Sequence, residues 1–261
     1  MQDILTEIIA TKKKEVARNK LLCPTEQLRD CCHKPVMRSM KRQLLESDSG
    51  IIAEFKRRSP SKGWIHRESD PAVAAIAYTQ GGASAVSVLT DTVYFGGSTD
   101  DLRRVRPLTE LPLLRKDFII DPYQLYETAA MDADVVLLIA AALTPTQCGK
   151  LARLAHELKL ETLLEIHSEE ELAYVDEHID MVGVNNRNLG TFHTDIANSQ
   201  RLACRLPAEK VRIAESGLRT PAEVKALREA GFRGFLMGEH FMRQQDPETA
   251  LSDFIRKINE P

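Results

Sequence analysis

The sequence predicts an α/β fold, a closed (β/α)8 TIM barrel with an N-terminal helical extension. Three observations carry this prediction. From Gly50 onward, eight short apolar runs alternate with stretches of helical period. Several of those helices open on the same Asp-Pro or Thr-Pro punctuation. No G-x-G-x-x-G follows the first run, as a dinucleotide-binding open sheet would require. Strands that alternate with helices need right-handed crossovers and therefore a parallel sheet, and eight units within residues 50–261 fit a closed barrel better than an open doubly wound sheet.

The runs are Ile51–Phe55, Ala85–Leu89, Leu111–Leu114, Val135–Ile139, Thr162–Ile166, Met181–Val184, Val211–Ala214 and Gly234–Met237. Each is short enough for a strand and is bounded by turn-forming residues. The intervening helices are expected at Pro71–Thr79, Thr99–Val105, Pro122–Ala130, Thr146–Leu158, Glu169–Glu177, Ile196–Cys204, Pro221–Ala230 and Pro247–Ile258. Asp70-Pro71, Asp121-Pro122, Thr144-Pro145, Thr220-Pro221 and Asp246-Pro247 place a capping oxygen before a proline whose φ is already helical, which fixes the register of the repeat. Residues 1–49 stand outside the eightfold pattern. Ile4, Leu5, Ile8 and Ile9 share one helical face, the basic run Lys12-Lys13-Lys14 follows, and a second helix is expected from Thr25 to His33. The lysines are expected on a solvated face and the extension across one end of the barrel. No linker divides the chain, so 1–261 is expected to be one domain, extension 1–49 and barrel 50–261.

Composition narrows the function classes. The chain has 261 residues, of which 43% are hydrophobic and 28% charged, enough for a large core and unlike a disordered segment. Thirty-five Lys and Arg against 38 Asp and Glu leave a net charge of -3, so there is no bulk positive field for nucleic acid and any anion site must be local. The longest apolar run, Val135–Leu143, is far short of the ~20 residues that span a bilayer, and the charged start Met1–Lys14 lacks a signal peptide's apolar core. The expectation is a cytoplasmic monomer that engages neither membrane nor nucleic acid. Cys23, Cys31, Cys32, Cys148 and Cys204 form no C-x-x-C pair, and the seven histidines show no H-x-x-x-H, so reduced thiols and chemistry without metal or cofactor are expected.

Side chains alternate faces along a strand. Ile51, Ala53 and Phe55 make one wholly apolar face, which leaves Ile52, Glu54 and Lys56 toward the barrel axis at the carboxyl end of the first strand, where active sites of such barrels lie. By the same parity Lys116 follows Leu114, Glu165 follows Leu163, Asn185 continues Met181 and Gly183 with Arg187 two further on, and Glu215 ends the seventh run. An internal ion pair could explain Glu54 and Lys56 alone. Six such residues at five strand ends, Glu54, Lys56, Lys116, Glu165, Asn185 and Glu215, are harder to explain structurally, because burying that many polar and ionisable groups costs stability. Ser216-Gly217 after the seventh strand and Gly238 after the eighth, followed by a short helix from Glu239 to Met242, form the place where such barrels commonly hold phosphate on backbone N–H groups. Ser59-Pro60-Ser61 adds hydroxyl donors after the first strand.

The segments Ile52–Ser61, Ser87–Asp91, Leu114–Phe118, Leu164–Ile166, Gly183–Arg187 and Ala214–Gly217 closely resemble the motifs of indole-3-glycerol phosphate synthase. The resemblance runs from about residue 3 to 258, extension included. It implies a carboxy-lyase of tryptophan biosynthesis that closes the ring of 1-(2-carboxyphenylamino)-1-deoxyribulose 5-phosphate, with loss of CO2 and water. By analogy Lys116 is the general acid for the ketone oxygen. Lys56 and Arg187 hold the substrate carboxylate, and Glu165 performs acid/base work in the dehydration with Lys56 a candidate partner, the direction of transfer being open. Glu54 and Asn185 orient the lysines and the substrate, while Glu215 completes the polar ring. Phe95, Phe118 and Leu137 are the expected slot for the aromatic ring, with Ser59 also against substrate, and Ser216, Gly217, Gly238 and Glu239 form the phosphate site. Two departures stand out: Asn188, where the family usually has Asp, leaves the pairing of Arg187 open, and Glu239 replaces a frequent small residue, its carboxylate expected to point away from phosphate. Two other readings fit the same barrel: a Schiff-base lyase or aldolase using Lys116 as nucleophile, and a non-catalytic barrel binding a phosphorylated ligand.

Overall fold

The computed structural model describes residues 4–32, 38–188, 190 and 193–260. Eight parallel strands close into a barrel: β1 (Ile51–Phe55), β2 (Ala85–Leu89), β3 (Leu113–Lys116), β4 (Val135–Ile139), β5 (Glu161–Ile166), β6 (Met181–Asn185), β7 (Val211–Glu215) and β8 (Gly234–Met237). Consecutive strands pair, and β8 closes on β1 with Ile51 opposite Phe235. All five Asp-Pro and Thr-Pro sites are N-caps whose side-chain oxygen accepts a backbone N–H of the first turn.

The strands present two faces, as the alternation predicts. Ile51, Ala53 and Phe55 join the apolar layer between strands and helices. Ile52, Leu114, Leu163, Met181 and Ile213 pack along the axis. The third strand begins two residues later than its apolar run, because Pro112 has no N–H to give the ladder, and it runs on through Arg115 and Lys116. Arg115 is fully buried on the outer face, where it donates to Thr90 Oγ1, to the Gln124 carbonyl and to Thr128 Oγ1 and pairs with Asp117 and Glu127.

Other departures are local. The expected helix Glu169–Glu177 is a single 3-10 stretch, Glu170–Tyr174, because the Glu171 carboxylate turns back to accept the His167 N–H and Val175 is already extended. The second helix of the extension spans Thr25–Cys31, and its expected end at His33 lies outside the described residues. Unforeseen are a helix Met40–Glu46, a short helix Thr92–Phe95, and a two-stranded hairpin pairing Arg58–Ser59 with Gly63–Trp64.

The extension closes both ends of the barrel axis. Met40 and Leu44 are buried at the amino-terminal end, with Leu44 against Gly234. The first helix, α1 (Ile4–Leu22), crosses the opposite mouth and brings Leu5 and Ile8 into the axial cluster. Lys12 corrects the expectation of a solvated basic face. It is completely buried, with Nζ 3.1 Å from Asp91, 2.9 Å from Asp117 and 3.0 Å from Glu15, whereas Lys13 and Lys14 are exposed. A lysine reaches such a position only where carboxylates replace its water. Among the described residues no helix is long and apolar enough to cross a membrane.

Candidate active site

A cavity of about 670 Å³ opens at the carboxyl ends of the strands beneath α1. One wall is apolar, made by Phe95, Phe118, Leu137 and Ile139 with Ile4, Leu5 and Ile8 of the extension. The Phe95 and Phe118 rings lie 6.1 Å apart at 41°. Asp91 places Phe95 by capping the short helix that carries it, accepting the Tyr94 and Phe95 N–H groups. The three residues expected to form an aromatic slot are therefore together.

The floor is ionic. Lys116 Nζ lies 2.7 Å from Glu165 Oε2 and 3.1 Å from Glu215 Oε2, bridging β3, β5 and β7. The other oxygen of Glu165 accepts the Asn185 amide at 2.9 Å and faces His167 Nε2 at 3.5 Å. Burial alone would lower the Lys116 pKa, but Glu165, Glu215 and Glu54 reverse that and hold the ammonium charged. Burial likewise works against ionised Glu165, yet Lys116, His167 and the Lys116 and Asn185 hydrogen bonds outweigh it and keep the carboxyl well below its ordinary range. Glu215 goes the other way: burial, helped by Glu165 and Glu54, pushes it up to about 7 despite Lys116. Its Oε1 has no hydrogen-bond partner among the described residues, which leaves a buried charge there poorly compensated. Gly183 makes room for that oxygen, since a Cβ at this position would overlap it.

On the next side of the barrel Lys56 pairs with Glu54. Arg187 donates to Thr194 Oγ1 and Ser61 Oγ, each at 3.2 Å. Asn188 is exposed and accepts the Gly190 N–H. Ser59 is buried and lines the cavity.

Ser216, Gly217, Gly238 and Glu239 border the cavity together, across from the aromatic wall. Ser216 and Gly217 are both left-handed, with φ of 65° and 83°, a conformation that turns backbone into a concave loop. The Ser216 carbonyl is held by the Asn186 amide at 3.1 Å. At Gly238 an added Cβ would lie 2.7, 2.9 and 3.0 Å from Oε1, Cβ and the carbonyl oxygen of Glu54, so Glu54 alone already requires a glycine there. The Glu239 carboxylate is occupied by Lys62 at 2.6 Å and Arg243 at 3.0 Å, so only its backbone remains for an anion.

The model of the family described as indole-3-glycerol phosphate synthase matches residues 5–254. The chain belongs to the indole-3-glycerol phosphate synthase family. Relatives bearing that name include one from Bacteroides thetaiotaomicron, 57% identical over 99% of this chain and 100% of its own, and one from Bordetella pertussis, 42% identical over 98% and 100%. Solved structures add the fold alone. A thiamine phosphate pyrophosphorylase from Pyrococcus furiosus has a TM-score of 0.61 at 14% identity, covering 83% of this chain and 100% of its own. A tryptophan synthase subunit alpha from Legionella pneumophila has a TM-score of 0.60 at 14% identity, covering 86% and 99%.

Several residues that shape the site carry little or no mark of that role in the sequence. Ile4, Leu5 and Ile8 were legible only as an apolar face. Thr194, Lys62 and Arg243 sit in loops with no periodicity to betray them. His167 carried a signal, because it continues the parity of Leu163 and Glu165.

Proposed function

We propose that this chain forms indole-3-glycerol phosphate from 1-(2-carboxyphenylamino)-1-deoxyribulose 5-phosphate, as a single-domain, monomeric cytoplasmic enzyme. The observation that carries the reading is one ammonium, Lys116, buried between the carboxylates of Glu165 and Glu215 at the floor of a cavity with an apolar wall and an opposing cationic and glycine-rich rim. The substrate needs such a site, since it joins an aromatic ring to a carboxylate, a ketone and a phosphate.

In the first step the ring carbon bearing the carboxylate attacks the ketone carbon, and Lys116 gives a proton to the ketone oxygen as it becomes a hydroxyl. Loss of CO2 returns the bonding electrons to the ring. The hydroxyl then leaves as water with a proton from an acid, and a proton is lost to a base, which completes the indole. Glu165, held as a carboxylate, is suited to accept; Glu215, titrating near neutrality, is suited to exchange a proton; Lys56 remains the partner near Glu54. Lys56 and Arg187 would hold the substrate carboxylate, Phe95, Phe118 and Leu137 its ring, and the backbone at Ser216, Gly217, Gly238 and Glu239 its phosphate, which positions the reacting end. Glu54 and Asn185 orient Lys56 and Glu165.

The Schiff-base alternative needs a neutral amine, and the carboxylates around Lys116 favour its charged form. A non-catalytic binding barrel would have no use for two buried carboxylates of divergent acidity. Incubation with the carboxyphenylamino substrate should produce indole fluorescence, and Lys116→Met should reduce turnover by roughly 10² to 10⁴. Absence of fluorescence with wild-type protein, or borohydride-trapped adduct at Lys116 with a keto substrate, would remove this reading.

A further inference from the structure

His167 adjoins Glu165, which lines the cavity. It follows β5 with the same parity as Glu165, and its carbonyl is tied down by the Asn198 amide at 3.1 Å. Both ring nitrogens are shut off from solvent and neither makes a hydrogen bond among the described residues. What they face is the informative point: Nε2 is 3.5 Å from Glu165 Oε1 and Nδ1 is 3.7 Å from Glu171 Oε2. A neutral imidazole has one N–H and one lone pair, so in either tautomer it would aim a lone pair at a carboxylate oxygen. Only the imidazolium, with a donor at each nitrogen, suits both neighbours.

We propose that His167 is a positioning residue for the reaction assigned above, held as an imidazolium between Glu165 and Glu171 so that it fixes and keeps ionised the carboxylate that accepts the proton. This rests on the proposed function for its kinetic consequence, but the ionisation of the ring does not. The division of contacts is consistent. Glu165 accepts from Lys116 on Oε2 and from Asn185 on Oε1, so the carboxylate can rotate only by breaking a hydrogen bond, and Oε1 also faces His167 Nε2 at 3.5 Å. Glu171 is anchored in turn, because the same Oε2 accepts the His167 backbone N–H. The groups that face the ring from neighbouring elements are Glu165 on β5, Glu171 on the 3-10 turn and Glu215 on β7. Burial opposes the charged ring and these three carboxylates outweigh it, raising its pKa above the ordinary histidine value. Lys116 lies beyond Glu165 and stays charged across the range in which the ring titrates.

The test uses the full chain labelled with ¹⁵N-histidine, the resonances of His167 being assigned by their loss in His167→Gln. Ring ¹⁵N shifts should report an imidazolium at neutral pH in wild-type protein. In Glu171→Gln, which keeps an oxygen for the backbone N–H but removes the charge, the ring should deprotonate at lower pH. With the carboxyphenylamino substrate, His167→Gln should lower kcat roughly ten- to a hundred-fold, with KM within about twofold. The alkaline limb of the wild-type kcat profile should vanish in His167→Gln and move to lower pH in Glu171→Gln. A purely structural histidine would move neither limb. A neutral ring at neutral pH, a ring titration indifferent to Glu171→Gln, or unaltered kcat profiles in both variants would each overturn the proposal. If wild-type protein does not turn over the substrate, the proposed function fails while the ring titration still decides the ionisation.

Discussion

Lys12→Met tests how the extension is held to the barrel. The substitution conserves length and apolar stem but removes the ammonium that sits 3.1 Å from Asp91 and 2.9 Å from Asp117, all three groups being buried. Breaking a buried ion pair from one side costs about 3–5 kcal/mol, because a charge is left without compensation. Two features place Lys12→Met near the lower end. Asp117 retains Arg115 at 3.2 Å and the Thr90 hydroxyl, and Glu15 is partly exposed and can turn to water. A loss of about 3 kcal/mol should lower the melting temperature by about 6–12 °C. The effect should also reach the cavity, because α1 supplies Ile4, Leu5 and Ile8 to its wall and Asp91 and Asp117 flank the segments that carry Phe95 and Phe118. KM should therefore rise more than kcat falls. Calorimetry and steady-state kinetics on Lys12→Met, Asp91→Asn and the double variant give the coupling directly, which should exceed about 1 kcal/mol. Wild-type melting and KM in Lys12→Met, or strict additivity in the cycle, would refute the claim that this cluster docks the extension.

Glycine substitutions should separate two kinds of close approach. Gly183→Ala drives a methyl into Glu215 and should cut kcat at least tenfold with modest loss of stability, measured as kcat beside a melting curve. Gly238→Ala pushes on Glu54, including its backbone, so kcat should fall along with any rise in KM; a change in KM alone would mean that the phosphate cup, not Glu54, dictates that glycine. Asp117 has its pKa lowered to about 2 against an ordinary 3.8, so its contribution to stability is complete above the ordinary value and lost as pH falls toward 2. Urea unfolding across that window should show a loss that Asp117→Asn lacks. Glu215 has the opposite sign, raised from 4.5 to about 7, so it favours the folded state less as pH climbs between those values, and Glu215→Gln should flatten that decline.

Local periodicity was enough to find the barrel and most of its polar floor. An alternation of two residues along a strand is fixed by backbone geometry, so once Ile51, Ala53 and Phe55 were assigned outward, Glu54 and Lys56 had to face the axis, and the same logic reached Lys116, Glu165, Asn185 and Glu215. Capping pairs such as Asp121-Pro122 were equally legible, because cap and helix are neighbours in the chain. Tertiary structure decided what depends on distant partners. Lys12 shares the apolar face of its helix, unlike Lys13 and Lys14, but helical period cannot supply the partners that let a lysine be buried there: Asp91 and Asp117, far along the chain, converge on its ammonium. Gly238 reads as an anion-loop glycine, yet the atoms that forbid its side chain belong to Glu54 on the adjacent strand. Glu165 and Glu215 are the same residue type at equivalent strand ends. They differ in proton affinity because Asn185 and His167 crowd one of them, whereas Glu215 keeps an oxygen with no donor among the described residues, an inequality that arises only when the barrel closes.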